Sequence, residues 1–171
     1  MKKLSFESFT KRIHIKTSME KLYWCWGTAE GITSWFLRKA EYTSPDGKNR
    51  SASEHIKKGD SYVWAWHNWD SEEKGSVLDA NGIDLVAWSF AGDCIVTVTL
   101  EQKEKAILLS LVQSNIPVDE KSKLEIHHGC SNGWTFWMAN IKAYLEHGIL
   151  LNETEIDLRA YELSGYEFVN M

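Results

Sequence analysis

Between about residues 40 and 114 the apolar side chains recur at every second position; after Pro117 the spacing lengthens to three and four and holds until Gly148. This change of period restricts the chain to a run of short antiparallel strands followed by one long helix. Tyr62, Trp64, Trp66 and Asn68 alternate with Val63, Ala65, His67 and Trp69, and which set faces inward is open from the sequence. Val96, Val98 and Leu100 alternate with Ile95, Thr97 and Thr99, and Ile107, Leu109, Leu111 and Gln113 mark the last strand. Further strands are predicted over 40–44, 51–56, 75–80 and 85–90. Turn signals separate them at Ser44-Pro45-Asp46-Gly47, Lys58-Gly59-Asp60, Asn81-Gly82 and Ala91-Gly92-Asp93, and again across Glu101 to Lys105. The helix is predicted to start between Asp119 and Leu124. Trp134, Trp137, Met138, Ile141, Tyr144 and Leu145 form its apolar stripe. His147 suits its negative end, Gly148 stops it, and Gly129 and Gly133 should weaken or bend its first half.

The N-terminal part adds one strand and two short helices. Phe9 to Ile15 alternates apolar and polar. Thr17-Ser18-Met19-Glu20 matches a capping box with Thr17 as N-cap, and Met19, Leu22, Tyr23 and Trp26 follow on one helical face. Gly27-Thr28 ends that helix and caps another, which carries Ile32, Trp35 and Phe36 on one face. A sheet of this size twists and curls. One of its faces must be covered, and the long helix is the element large enough to do so. The expected fold is therefore α+β, a helix-grip arrangement spanning residues 1–150. The tail, residues 151–171, lacks a period, but its Tyr161, Tyr166, Phe168 and Val169 argue against disorder. It is expected to pack on the domain or on a second copy, as a lid or a dimer contact.

The same residues carry a family resemblance. Ile13-His14-Ile15, then Leu22-Tyr23-Trp24-Cys25-Trp26 and Ile32-Thr33-Ser34-Trp35-Phe36, resemble the opening of the Hsp90-ATPase-activator-homologue-like branch of the START-like (SRPBCC) superfamily. Gly75-Ser76-Val77-Leu78 and Leu85-Val86-Ala87-Trp88 resemble its central hairpin. Gly133-Trp134 and Asn140 through Gly148 resemble its closing helix. The resemblance covers about residues 9 to 150. It implies the helix-grip fold and an internal cavity for an apolar or amphipathic ligand, and it implies no shared catalytic motif. It also brings in an alternative role, a co-chaperone that stimulates an Hsp90-type ATPase.

Composition narrows the function further. A chain of 171 residues fits one domain. The net charge of −5 argues against a nucleic-acid backbone or an anionic membrane as the main partner. No stretch approaches 18 apolar residues. Lys2-Lys3 resembles a signal n-region, but no apolar segment follows. Cys25, Cys94 and Cys130 stand at irregular spacing, so free thiols in a reducing cytoplasm are expected, where the acceptor patterns at Asn49 and Asn152 carry no weight. Lys2, Lys3, Lys11 and Arg12 read as a solvated basic edge.

The unusual quantity is aromatic: nine Trp, six Tyr and six Phe. Tyr62, Trp64 and Trp66 share a strand face; Trp88 lies on another strand, Trp134 and Trp137 lie on the helix, and Trp35 precedes the sheet region. If the first group faces the helix, these rings and Met138 line whatever space lies between sheet and helix. Rigid aromatic walls with a few oriented donors are the usual construction of a small-molecule pocket. The competing reading is a solid aromatic core. Gln113 and Asn68 end their alternations and could meet a ligand head group, or simply be solvated strand ends. The six histidines show no zinc-ligand pattern, and the His127–Cys130 spacing alone is no metal site. No nucleophile elbow, P-loop or dinucleotide fingerprint occurs, and no cofactor is expected. Tyr62, His67, Asp60 and Arg38 are the candidate acid–base groups for a cyclase or hydrolase, and each is better explained as a strand or surface residue. The favoured expectation is a non-enzymatic binder of a hydrophobic or aromatic molecule.

Overall fold

The computed structural model describes residues 4–171; Lys2 and Lys3, read above as a possible signal n-region and part of a basic edge, lie outside the described residues. Among the described residues seven strands form one antiparallel sheet. They are β1 (Phe9–Ile15), β2 (Lys39–Thr43), β3 (Ser61–Ala65), β4 (Glu72–Ala80), β5 (Leu85–Phe90), β6 (Cys94–Gln102) and β7 (Ile107–Ser114). Strands β2 to β7 form a meander, and β1 pairs with β7 from Phe9↔Gln113 to Ile15↔Ile107, so the order is β1-β7-β6-β5-β4-β3-β2. The sheet and C-terminal helix together make the expected α+β helix-grip fold.

Each turn residue supports this meander locally. Gly47, Gly59, Gly82 and Gly92 adopt left-handed φ at four of the five sites read as turns. Asn81 Oδ1 accepts from the amides of Ile83, Asp84 and Leu85, which fixes the β4–β5 connection. Strand period then buries Val96, Val98 and Leu100 on β6 and Ile107, Leu109, Leu111 and Gln113 on β7. On β3 the inward residues are Tyr62 and Trp64. The strand stops at Ala65, so the alternation read through Trp69 dissolves beyond it.

Two helices, α1 (Met19–Gly27) and α2 (Ala29–Thr33), join β1 to β2. The α1 cap is Ser18 rather than Thr17: Ser18 has extended backbone, and its hydroxyl oxygen accepts from Lys21 N at 3.1 Å. Thr28 caps α2 by accepting from Gly31 N at 2.9 Å. Residues 51–56, expected as a strand, form a turn instead. Its anchor is Asp60, fully buried, which accepts from Arg50 Nη2 at 2.8 Å, from Arg50 Nε and from Lys57 N at 2.8 Å. Wrapping the chain around that carboxylate leaves no straight run to pair. Only a single bridge, Thr28↔His55, involves this segment among the described residues.

The C-terminal helix begins with one α-turn, α3 (Glu120–Ser122), capped by Asp119. It widens to a π-helix over Lys123–His128 and continues as α4 (Gly129–His147). The weakening predicted at Gly129 and Gly133 does not fall on them: both lie in regular α4, and the irregularity is the wide turn that precedes Gly129. Gly148, at φ 67°, ends it. Lys142 Nζ donates to His14 O at 2.7 Å, and Lys16 N donates to Glu146 Oε1 at 2.7 Å, which pins α4 to the end of β1.

Gly75 lets the aromatic face close. It lies opposite Tyr62 in the β3–β4 ladder, and a Cβ there would stand 2.8 Å from the Tyr62 ring and 2.6 Å from Ser89 Oγ. Tyr62 cannot swing away, because its hydroxyl donates to Ser89 O at 2.6 Å. Gly75→Ala should therefore lower unfolding free energy by about 1–3 kcal/mol, read as a shifted urea midpoint at unchanged slope.

Candidate functional site

The space between sheet and α4 is built of ring-on-ring contact. Trp26 lies 4.8 Å from Trp35, 6.0 Å from Trp88 and 6.2 Å from Trp134, measured between ring centroids. Phe36 lies 4.9 Å from Trp137, 5.3 Å from Trp134 and 5.7 Å from Trp66. Trp64 lies 4.3 Å from Tyr62, 5.5 Å from Trp88 and 6.4 Å from Trp66. Trp64 and Trp88 meet although β4 runs between their strands. Met138 is buried in the same cluster, and Trp66 is half-buried against it.

Gln113, one of two residues for which a solvated strand end was the alternative, is fully buried. Its Oε1 accepts from Trp134 Nε1 at 3.0 Å, which turns its amide nitrogen toward the thiols of Cys94 and Cys130. Thiols are weak acceptors, and Gln113 Nε2 completes no hydrogen bond. Two indoles share that condition. Trp26 Nε1 is buried without a partner. Trp88 Nε1 faces the Tyr42 hydroxyl, to which Trp64 Nε1 donates at 3.1 Å, but does not reach hydrogen-bond geometry with it. Trp35, by contrast, is satisfied: its Nε1 donates to Cys25 O at 3.0 Å.

The candidate acid–base groups are dispersed. Asp60 is held in the Arg50 fork, and Tyr62 is bound to Ser89 O. Burial pushes the phenols of Tyr42 and Tyr62 well above their ordinary value. Arg38 and His67 stand elsewhere, in a surface cleft of about 360 Å³. One wall of that cleft is Trp66 to Asp70; the other is the tail from Thr154 to Arg159. Burial, then the neighbouring Arg38 charge, holds the His67 imidazole below its ordinary pKa, which favours the neutral ring. Among the described residues no group of three or more His, Cys, Asp or Glu side chains is arranged to hold a metal ion.

Two asparagines bring the tail over this cleft. Asn68, at φ 44°, donates to Glu153 O at 3.1 Å and accepts from Leu158 N at 2.9 Å, so its amide serves the chain itself and is not free for a ligand head group. Asn140, fully buried on α4, donates to Trp35 O at 2.5 Å and accepts from Leu151 N at 2.6 Å. Sequence reasoning did not count Asn140, Trp26, Phe36 and Phe90 among the pocket-lining residues, although it put Trp26 and Phe36 on apolar helical faces. Asn140 left a signal: three residues after Trp137 and four before Tyr144, it must share the helix's buried face. Trp26 ended a helical stripe and read as ordinary core.

All three cysteines are free. Burial pushes the Cys25 thiol up to about 12 and the Cys130 thiol up to about 11, from an ordinary 9.0. Two outcomes are expected. At pH 8 the folded chain should react with iodoacetamide at these two thiols far more slowly than the urea-unfolded chain, since burial keeps both in the protonated form. The contribution of these protonated thiols to stability is complete below pH 9 and disappears as pH climbs toward 12, because the unfolded chain ionises first. Thermal melts from pH 8 to 11 should show that decline.

The chain resembles known proteins in sequence and in shape. The family profile described as "Activator of Hsp90 ATPase homolog 1-like protein" matches residues 16–146. No curated protein matches. Among solved structures, protein SSP2350 from Staphylococcus saprophyticus superposes with a TM-score of 0.67 at 16% identity, over 84% of this chain and 95% of its own. The Aha1 dimer from Colwellia psychrerythraea gives 0.63 at 19% identity, over 82% and 97%. DynU16, a putative protein in the dynemicin biosynthetic locus, gives 0.64 at 17% identity, over 88% of this chain and 50% of that one. Among the described residues no helix is long and apolar enough to cross a membrane. The profile match spans most of the chain, and on that ground this protein belongs to the family of activator of Hsp90 ATPase homolog 1-like proteins.

Proposed function

We propose that this protein binds one apolar, aromatic small molecule between the sheet and α4, in space that the ring cluster gives up by changing rotamers. The observation that carries this reading is the set of buried donors that complete no hydrogen bond, Trp26 Nε1, Trp88 Nε1 and Gln113 Nε2. Each such donor costs about 1–3 kcal/mol, and native interiors contain few of them. A planar ligand bearing carbonyl or ether oxygens supplies the missing acceptors, while the faces of Trp64, Trp134 and Trp137 supply area for its body. Family membership supports the reading, since these proteins typically bind hydrophobic ligands. The biosynthetic-locus setting of DynU16 is compatible with it, and equally with a small-molecule enzyme such as a cyclase or hydrolase. The latter has weaker support, because Asp60 and Tyr62 are both engaged by protein groups.

The test uses two fluorescent probes of similar size, the ketone 6-propionyl-2-(dimethylamino)naphthalene and the amine N-phenyl-1-naphthylamine. Both should bind saturably, near one per chain, and change the near-ultraviolet circular dichroism as the indoles repack. Trp26→Phe should weaken the ketone by about threefold to tenfold, one lost hydrogen bond, and leave the amine within about twofold. Trp88→Phe repeats the test at a second donor. Absence of saturable binding by either probe removes the proposal. The chaperone alternative rests on the family's description. An Hsp90-type ATPase whose rate is unchanged by excess protein removes that one.

A further inference from the structure

The cleft under the tail and the ring cluster share a wall. Trp66 lines the cleft, and its ring also lies 5.7 Å from Phe36 and 6.4 Å from each of Trp64 and Phe90. Phe36 in turn touches Trp134, which contacts Trp26. One indole therefore separates the surface from the rings that surround the unpartnered donors. Trp66 follows the end of β3 and is half-buried, at the rim of the cluster.

Arg38 stands at the outer side of that wall. The chain runs from Trp35, Phe36 and Leu37, all buried, straight into Arg38 at the cleft. Its backbone N–H donates to Ala65 O at 2.9 Å, and its Nε donates to Trp66 O at 3.2 Å, so the base of the guanidinium is fixed to the strand that carries the wall. Among the described residues no carboxylate lies within ion-pair distance of Arg38. The acidic groups of the cleft are otherwise occupied or solvated. Arg159 binds Asp70 and Asp157, each at 2.8 Å, and Glu155 is exposed. A fixed, unpaired guanidinium beside a neutral imidazole is a site for a carboxylate, which it can hold through two parallel N–H···O bonds.

Resting on the binding reading above, we infer that the ligand is an aromatic carboxylic acid: its ring system takes the place of Trp66 against Phe36 and Trp64, and its carboxylate stays in the cleft on Arg38. The far wall of this head-group site comes from residues 154–159, beyond the 16–146 span that defines the family. Selectivity for an acid thus rests on Arg38, the cleft's unpaired cation, while the tail encloses the head group.

The measurement compares 1-pyrenebutyric acid with 1-pyrenebutanol, which differ only in the head group, by energy transfer from tryptophan to pyrene on the full chain. The acid should bind about fivefold to tenfold more tightly than the alcohol. Arg38→Gln should erase that preference by weakening the acid and leaving the alcohol unchanged, and Arg38→Lys should restore part of it. Arg38 is exposed, so the folded state is expected to survive, and unchanged near-ultraviolet circular dichroism verifies this. If both probes bind equally, or Arg38→Gln leaves the preference intact, the carboxylate site is wrong while the ring-cluster reading stands. Should neither probe bind, the parent reading falls with it.

Discussion

Aromatic packing between the curled sheet and α4 is the interaction on which the rest of this structure depends. Rings reach across distances that aliphatic side chains do not, and Trp64 touches Trp88 over the intervening strand β4. Such pairs favour edge-to-face contact, as between Trp26 and Trp35 at 67° or Phe36 and Trp64 at 80°. The geometry has a chemical consequence. An indole brings a donor into the core with its area, and the number of acceptors that a sheet and a helix can offer there is small. Cys25 O and Gln113 Oε1 serve Trp35 and Trp134; Tyr42 serves Trp64. Trp26 and Trp88 are left over.

The polar pins are placed where the aromatic core ends. Asp60, wrapped by Arg50, fixes the approach to β3. Asn140 joins α4 to the carbonyl of Trp35 and to the first amide of the tail. Asn68 holds the tail's middle, and Gly165 lies against the Trp69 ring so closely that a Cβ would meet it at 2.6 Å. A buried side-chain amide with both ends satisfied is directional in a way that apolar contact is not. These residues therefore set where the tail, residues 151–171, runs.

This division explains what was legible in the sequence. Strands and the long helix follow from period, because each must turn one apolar face inward, and the inward faces of β6 and β7 match the alternations of Val96, Val98, Leu109 and Leu111. Segment 51–56 misled because its organising force is the Arg50–Asp60 pair, ten residues apart, which leaves no periodic trace. The tail is unreadable for a similar reason: its partners, Asn68 and Asn140, lie far away in sequence. For the ring cluster, alternation could place Tyr62, Trp64 and Trp66 on one face, but which ring meets which depends on sheet curl and on Gly75, a residue that reads as an ordinary weak point in a strand. The π-helical turn before Gly129 has no local signal beyond the glycine itself.

The energies explain why a closed core and a binding role are compatible. Ring-on-ring contact stabilises the closed form through area and through pair terms of about 0.5–1.5 kcal/mol each. Three unpartnered donors oppose it at about 1–3 kcal/mol each, which offsets part of that gain. An aliphatic core of the same volume would lack the second term and would resist opening more strongly. Here a ligand that repeats the aromatic contacts exchanges one set of ring pairs for another at little net change, and the acceptors it carries are net gain. Rotamer changes by indoles such as Trp66, already half-buried at the rim, are then the inexpensive step, and the backbone of sheet and helix can stay where Gly75, Asn140 and the contacts of Lys142 with His14 and of Glu146 with Lys16 hold it.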